Sequence, residues 1–228
     1  LEPSGDAIRV GAGWDFDTLI AETLRRGLTG LEFASGIPGT VGGALVGNAG
    51  CYGREIGDYL LEATVLRTDG AVVTLTPDDF AFAYRTSALK EQGDVVLDLV
   101  LQLSRGDLEA AVQERQEHLD DRRRKHPWQI PCAGSYFKNL PPAAPGEWRR
   151  PAGRLLEEAG AKGMREGGAE VFAKHANILV NQGGATSGDV LRLAARMKRA
   201  VRQRFDEELE EEVRHLVTPG ANPDPAVD

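Results

Sequence analysis

Residues 36–53 constrain the fold of this 228-residue chain more than any other stretch. Seven of those eighteen positions are glycine, yet the segment lacks the Gly/Ser monotony of a flexible linker. Ile37, Val41, Leu45 and Val46 punctuate the glycines, so the segment is expected to pack while its backbone stays bare of side chains. Bare backbone at a packed site lets amide N–H groups approach an anion or a planar ring. A set of tight turns between strands is the other reading that glycine content allows.

The order of residues within the segment narrows the choice. G-I-P-G-T-V-G-G-A (36–44) followed by N-A-G-C-Y-G (48–53) resembles the flavin-contacting segment of the UDP-N-acetylenolpyruvoylglucosamine reductase family. Further islands resemble the same family in the same order: Y-R-T-S at 84–87, A-G-S-Y-F-K-N at 133–139, A-G-R-L-L-E-E-A-G-A-K-G at 152–163, K-H-A-N-I-L-V-N at 174–181 and L-E-E-E-V-R at 209–214. One island could arise by chance; a collinear series could not.

The resemblance implies an α+β fold: a partial FAD-binding domain of the vanillyl-alcohol-oxidase type over residues 1–106, then a MurB-type α+β substrate domain over 107–207. Residues 208–228 are expected to return to the flavin site, with a disordered end after Thr218. The implied activity is reduction of the enolpyruvyl ether of UDP-N-acetylglucosamine, with FAD as cofactor and NADPH as reductant. FAD contacts fall on Gly36, Ile37, Pro38, Gly39, Gly42, Gly43, Asn48, Ala49, Gly50 and Arg214. Substrate contacts fall on Tyr84, Lys125, Lys138 and Asn139, and catalysis on Arg85, Ser135 and Glu212.

Two departures accompany the match. Nothing before Gly36 resembles the family's G-x-G-S-N loop, and R-V-G-A-G-W at 9–14 resembles the stretch just C-terminal to that loop. The chain is therefore expected to lack the family's first strand–helix–strand module and to bind FAD weakly on its own. No tyrosine lies between Tyr84 and Tyr136, which resembles the subclass without a tyrosine-bearing lid over the substrate.

Composition bounds the alternatives. A net charge of −8 argues against a general nucleic-acid binder. The longest apolar runs, such as 95–101 broken by Asp98, fall short of a membrane span. Two cysteines, Cys51 and Cys132, make no disulfide scaffold and suit a reducing cytoplasm. Four histidines without zinc-ligand spacing point to no metal site. Positive charge is concentrated at 122–126 and at Arg149, Arg150 and Arg154, either as solvated helix ends or facing a diphosphate. The first cluster precedes Ser135 by ten residues, which favours a phosphate-facing role for Arg124 or Lys125.

Periodicity places these motifs on elements. Strand-like runs occupy 8–10, 63–68, 72–75 and 95–103, with Asp69-Gly70 as a hairpin signal. A helix over 16–26 has Asp15 or Asp17 as its cap and Leu19, Ile20, Thr23 and Leu24 as its packed face. A charged helix spans 107–125, a short one starts at Pro151, and strands fall at 170–172 and 178–180. The long helix at 187–205 opens on a Thr186/Asp189 capping pair, and its stripe of Val190, Leu193, Ala194, Met197, Ala200 and Val201 reads as core.

The chemistry suits the residue types. Reduction of an enolpyruvyl double bond develops negative charge beside the substrate carboxylate, and that charge must be stabilised and then protonated. Arg85 offers a permanently charged, two-pronged grip on a carboxylate. Glu212 beside the same carboxylate would be repelled unless bridged or protonated, its pKa then raised by the like charge. Residues 207–212 also read as an acidic run on a solvated face, from which only the family register picks Glu212. Ser135 is the expected proton donor, with Gly134 allowing close approach, Lys138 steadying or polarising the loop and Asn139 binding substrate. His175 reads as a structural hydrogen-bonder. Two alternatives remain: another oxidoreductase on the same FAD fold, or a flavin-free chain that binds a nucleotide sugar.

Overall fold

Alternating apolar residues and a tight hairpin in the first half produce one antiparallel sheet. The computed structural model describes residues 2–127 and 129–216. Its strands are β1 (Glu2–Ser4), β2 (Ala7–Gly11), β5 (Leu60–Leu66), β6 (Val72–Leu75) and β7 (Val95–Gln102), in the order β1-β2-β7-β5-β6. A separate two-stranded ribbon joins β3 (Gly50–Cys51) to β4 (Arg54–Glu55). Period-2 burial turns Ile8, Val10, Ala63, Val65 and Leu99 inward. The β5–β7 register shifts between Thr64 and Val65, and Val96 is buried along with Leu99 although the two are three residues apart.

Helices α1 (Phe16–Arg25) and α2 (Val41–Val46) add Phe16, Leu19, Ile20, Val41 and Leu45 to the same core, with short helices α3 (Pro77–Phe80) and α4 (Leu89–Gln92) following β6. Asp15, not Asp17, caps α1: its Oδ1 accepts the Thr18 N–H at 2.8 Å. Asp17 is turned to another use, since its carboxylate takes a two-pronged grip from Arg115 at 2.7 and 2.9 Å.

Arg115 lies on α5 (Leu108–Lys125), where Arg122 Nε also donates to Ser35 O at 2.8 Å and Arg54 bridges to Glu114. These polar ties explain why the chain divides into compact units at Leu1–Arg122 and Arg123–Asp228, within the last turn of α5, whereas periodicity and motif order start the second domain at 107.

The second unit is a four-stranded antiparallel sheet, β8 (Cys132–Ser135), β9 (Arg165–Glu166), β10 (Ala169–Val171) and β11 (Ile178–Asn181), ordered β8-β11-β10-β9. Against it pack α6 (Ala152–Glu158) and α7 (Ser187–Phe205), burying Leu156, Leu193, Met197 and Val201. The Thr186/Asp189 capping box forms as the sequence indicates. Beyond α7 the chain turns back and lies beside 136–138: Lys138 N–H donates to Glu210 O and Glu212 N–H to Tyr136 O, each at 2.8 Å. The end after Thr218, expected to be disordered, lies outside the described residues.

Candidate active site

The glycine segment contains a helix that its composition conceals. Thr40 caps α2 by accepting the Gly43 N–H at 3.2 Å. Glycine weakens a helix, but Gly42 has a steric reason to be there, because a Cβ would lie 2.7 Å from the Ala12 Cβ. Much of the segment's amide donation is spent inside the protein. Gly36 N–H donates to Asp17 Oδ1 at 2.8 Å, Ile37 N–H to Ala34 O at 3.0 Å and Gly42 N–H to Ala12 O at 2.8 Å.

What remains is a short ledge. Pro38, Gly39, Thr40 and Gly43 are exposed, and among the described residues no acceptor meets the N–H of Gly39 or Thr40. A Cβ on Gly39 would meet nothing within 4 Å, so the space above it is open. Open backbone with two unspent donors fits a group with a flat face and acceptor edges, as FAD has. Of the expected FAD contacts, Pro38, Gly39 and Gly43 are exposed on this ledge, while Gly42, Asn48 and Gly50 are buried.

Asn48 holds the segment's far end together. It is 1% exposed and adopts a left-handed φ of 45°. Its Nδ2 donates to Glu55 Oε2 and to Ala83 O, the latter at 3.2 Å, and its Oδ1 accepts the Gly57 N–H at 3.2 Å. Ala49 N–H closes the turn on Ala44 O at 2.8 Å. Glu55 has its carboxyl pushed up by burial, opposed by the Asn48 hydrogen bond and the Arg85 charge.

Arg85 sits next to this hub in a strained conformation, φ 58°. Its guanidinium donates to Gly50 O at 2.6 Å and lies over the Tyr84 ring, 4.9 Å from the centroid. Lys90 Nζ donates to Arg85 O at 2.9 Å, and buried Ser87 donates to Val46 O at 2.7 Å. Thus Tyr84, Arg85, Asn48 and Gly50 come together in the first unit.

In the second unit a cavity of about 610 Å³ is lined by Ser135, Asn139, Arg154, Lys174, His175 and Asn177, among others. Gly134 before Ser135 has φ 76°, the left-handed region, so a glycine is required by the turn itself. The Ser135 hydroxyl meets no hydrogen-bond partner among the described residues. Asn139 Oδ1 accepts the Ala152 N–H at 3.1 Å and so caps α6, while its carbonyl accepts from Arg149 at 2.7 Å. Lys138 pairs with Glu210. The main chain of Glu212 is tied to Tyr136, one residue from Ser135. Lys125 and Arg214 are exposed.

The second basic cluster is engaged within its own unit: Arg150 bridges Glu207 and Arg154 bridges Glu158. His175, set aside on sequence grounds, lines the same cavity as Ser135. Burial first, then the charges of Lys125 and Lys162, hold its pKa below the ordinary histidine value, so the ring is neutral at pH 7. Sequence reasoning also misses Lys90, Glu55 and Asn177. Asn177 falls inside the K-H-A-N island, but only the fold shows what its amide touches. No group of three or more His, Cys, Asp or Glu among the described residues could hold a metal, and no described helix is long and apolar enough to cross a membrane.

Two family models match. Residues 126–216 match the UDP-N-acetylenolpyruvoylglucosamine reductase C-terminal domain, and residues 1–76 match an FAD binding domain. The UDP-N-acetylenolpyruvoylglucosamine reductase of Bacillus subtilis (strain 168) is 41% identical over 214 residues, covering 93% of this chain and 68% of the relative. The UDP-N-acetylenolpyruvoylglucosamine reductase 2 of Symbiobacterium thermophilum is 45% identical over 210 residues, covering 92% of this chain and 66% of its own length. The crystal structure of UDP-N-acetylenolpyruvylglucosamine reductase from Thermus caldophilus superposes with a TM-score of 0.76 at 37% identity, covering 90% of this chain and 71% of that one.

Proposed function

The chain belongs to the UDP-N-acetylenolpyruvoylglucosamine reductase family, and on that premise we propose that Arg85, Ser135 and Glu212 carry its reaction. The reaction reduces the enolpyruvyl ether of UDP-N-acetylglucosamine to the lactyl ether, giving UDP-N-acetylmuramate for peptidoglycan synthesis. FAD, re-reduced by NADPH, supplies the hydride when bound.

The protein's own residues do the rest. The ledge at Pro38–Gly39–Thr40 with Gly43 holds the cofactor, joined by Gly36, Ile37, Gly42, Asn48, Ala49, Gly50 and Arg214 as its support and surroundings. Arg85, stacked on Tyr84, grips the substrate carboxylate and offsets the charge that develops beside it. Ser135 gives up its proton to the carbon bearing that carboxylate. A serine hydroxyl is a weak acid, yet it can protonate a strongly basic carbanion if held close. Glu212 hydrogen-bonds at the same carboxylate, either as the protonated acid or as a carboxylate that orients Arg85. Lys125, Lys138 and Asn139 bind substrate, Asn139 and Lys138 doing so from positions fixed by α6 and Glu210.

The observation that carries these roles is the Ser135 hydroxyl, left without a partner among the described residues in the wall of a cavity large enough for a sugar. The chain acts in the cytoplasm on a small-molecule UDP-sugar, without nucleic-acid or membrane partners, and belongs to the subclass without the tyrosine lid. The test is NADPH oxidation by the full-length, FAD-loaded protein. Consumption that depends on the enolpyruvyl substrate, with a product heavier by two hydrogens, supports the reading. Consumption that is indifferent to that substrate overturns it.

A further inference from the structure

We propose that Asn177 is the positioning residue for Ser135, an inference that rests on Ser135 being the proton donor. Asn177 is 2% exposed. Its Oδ1 accepts the Phe137 N–H at 2.9 Å and its Nδ2 donates to Phe137 O at 2.8 Å. Its main-chain carbonyl accepts the Tyr136 N–H, also at 2.8 Å. One residue thus gives the backbone just beyond Ser135 the contacts that a paired strand would otherwise provide. Such bonding matters here because β8 ends at Ser135 and the residue before it, Gly134, is a left-handed turn.

Asn177 fixes a second wall of the cavity as well, since its N–H donates to His175 Nδ1 at 3.3 Å. Both polar atoms of the amide face protein backbone, so the side chain acts on substrate only through Ser135 and its strand. Without it, the hydroxyl loses its set position while the remaining β8–β11 pairing, Ile178 with Ser135 and Val180 with Cys132, keeps the fold.

The test separates the two half-reactions of the full-length, FAD-loaded protein by rapid mixing. Asn177→Ala is expected to leave flavin reduction by NADPH within about twofold and to slow substrate-driven reoxidation about 10- to 100-fold, as for a reacting group misplaced by about 1 Å. Amide hydrogen exchange at 136–137 should quicken in the same variant, a readout independent of turnover. Asn177→Asp guards against a variant that does not fold. A protonated aspartic acid offers one donor and one acceptor, as the amide does, and a buried carboxyl titrates upward. Reoxidation by that variant should therefore recover as pH falls, unlike wild type.

A double variant distinguishes this proposal from the one beneath it. If Asn177 acts only through Ser135, Ser135→Ala/Asn177→Ala is no slower than Ser135→Ala alone. A double variant slower than Ser135→Ala overturns the positioning role, as does wild-type reoxidation in Asn177→Ala or a flat pH profile in Asn177→Asp. Wild-type turnover in Ser135→Ala overturns the proton-donor reading itself, and this one with it.

Discussion

At the scale of single residues, a buried amide ties together the end of the glycine segment in the first unit. Asn48 satisfies Glu55, Ala83 O and the Gly57 N–H at once. Asn48→Ala leaves those groups without partners and removes a residue that tolerates the left-handed backbone. We expect a loss of about 2–4 kcal/mol from these combined effects, read as a lower urea midpoint; an unchanged midpoint contradicts it. Arg85→Lys keeps the charge but loses the planar fork that donates to Gly50 O and stacks on Tyr84. It should lower kcat/KM for the enolpyruvyl substrate about 10- to 100-fold, the worth of one charged hydrogen bond at about 1.5–3 kcal/mol. Flavin reduction by NADPH should be unaffected. Equal losses in both half-reactions would place the role of Arg85 elsewhere. Sequence motifs picked out Asn48 and Arg85, but not that Asn48 faces inward, because a string of letters does not say which hydrogen bonds a side chain has already made.

At the scale of elements, strands and long helices were legible because their periods are strong. The helix over 187–205 and the strand over 72–75 have the bounds that periodicity and capping indicate. Helix α2 was not legible, since its two glycines argue against helix and the reason for Gly42, contact with Ala12, is tertiary. The attachment of α5 was equally hidden, for a highly charged helix advertises no packed face. Its anchor is Asp17, whose carboxyl is held below the usual range by the Arg115 hydrogen bonds, with the Gly36 N–H assisting against burial. A depressed folded pKa adds stability above the unfolded value near 3.8 and loses it as pH falls through the folded value. Asp17→Asn should therefore cost about 1 kcal/mol at neutral pH, the modest end for a charged pair because the side chain remains 35% exposed. The difference from wild type should vanish in acid. A gap in unfolding midpoint that does not narrow as pH falls below 3.8 contradicts this account of the anchor.

At the scale of the whole molecule, the family motifs fall into two units, each with its own core. The cavity in the second unit supplies a pH signature. His175 is half-buried, and its folded pKa lies below 6.5. In the window between the two values the unfolded chain binds more protons, so stability rises with pH up to about 6.5 and is lost below it. Denaturation across that window should show the slope in wild type and a reduced slope in His175→Gln; identical slopes contradict the assignment.

Delivery of the proton by Ser135 can be followed through flavin absorbance after rapid mixing. In Ser135→Ala the NADPH-driven bleaching should match wild type, while recovery of colour on adding the enolpyruvyl substrate should slow by about 10²–10⁴-fold, the usual contribution of a positioned general acid. Ser135→Cys should fall between the two, because a thiol also donates. Colour that returns in Ser135→Ala at the wild-type rate would contradict the account.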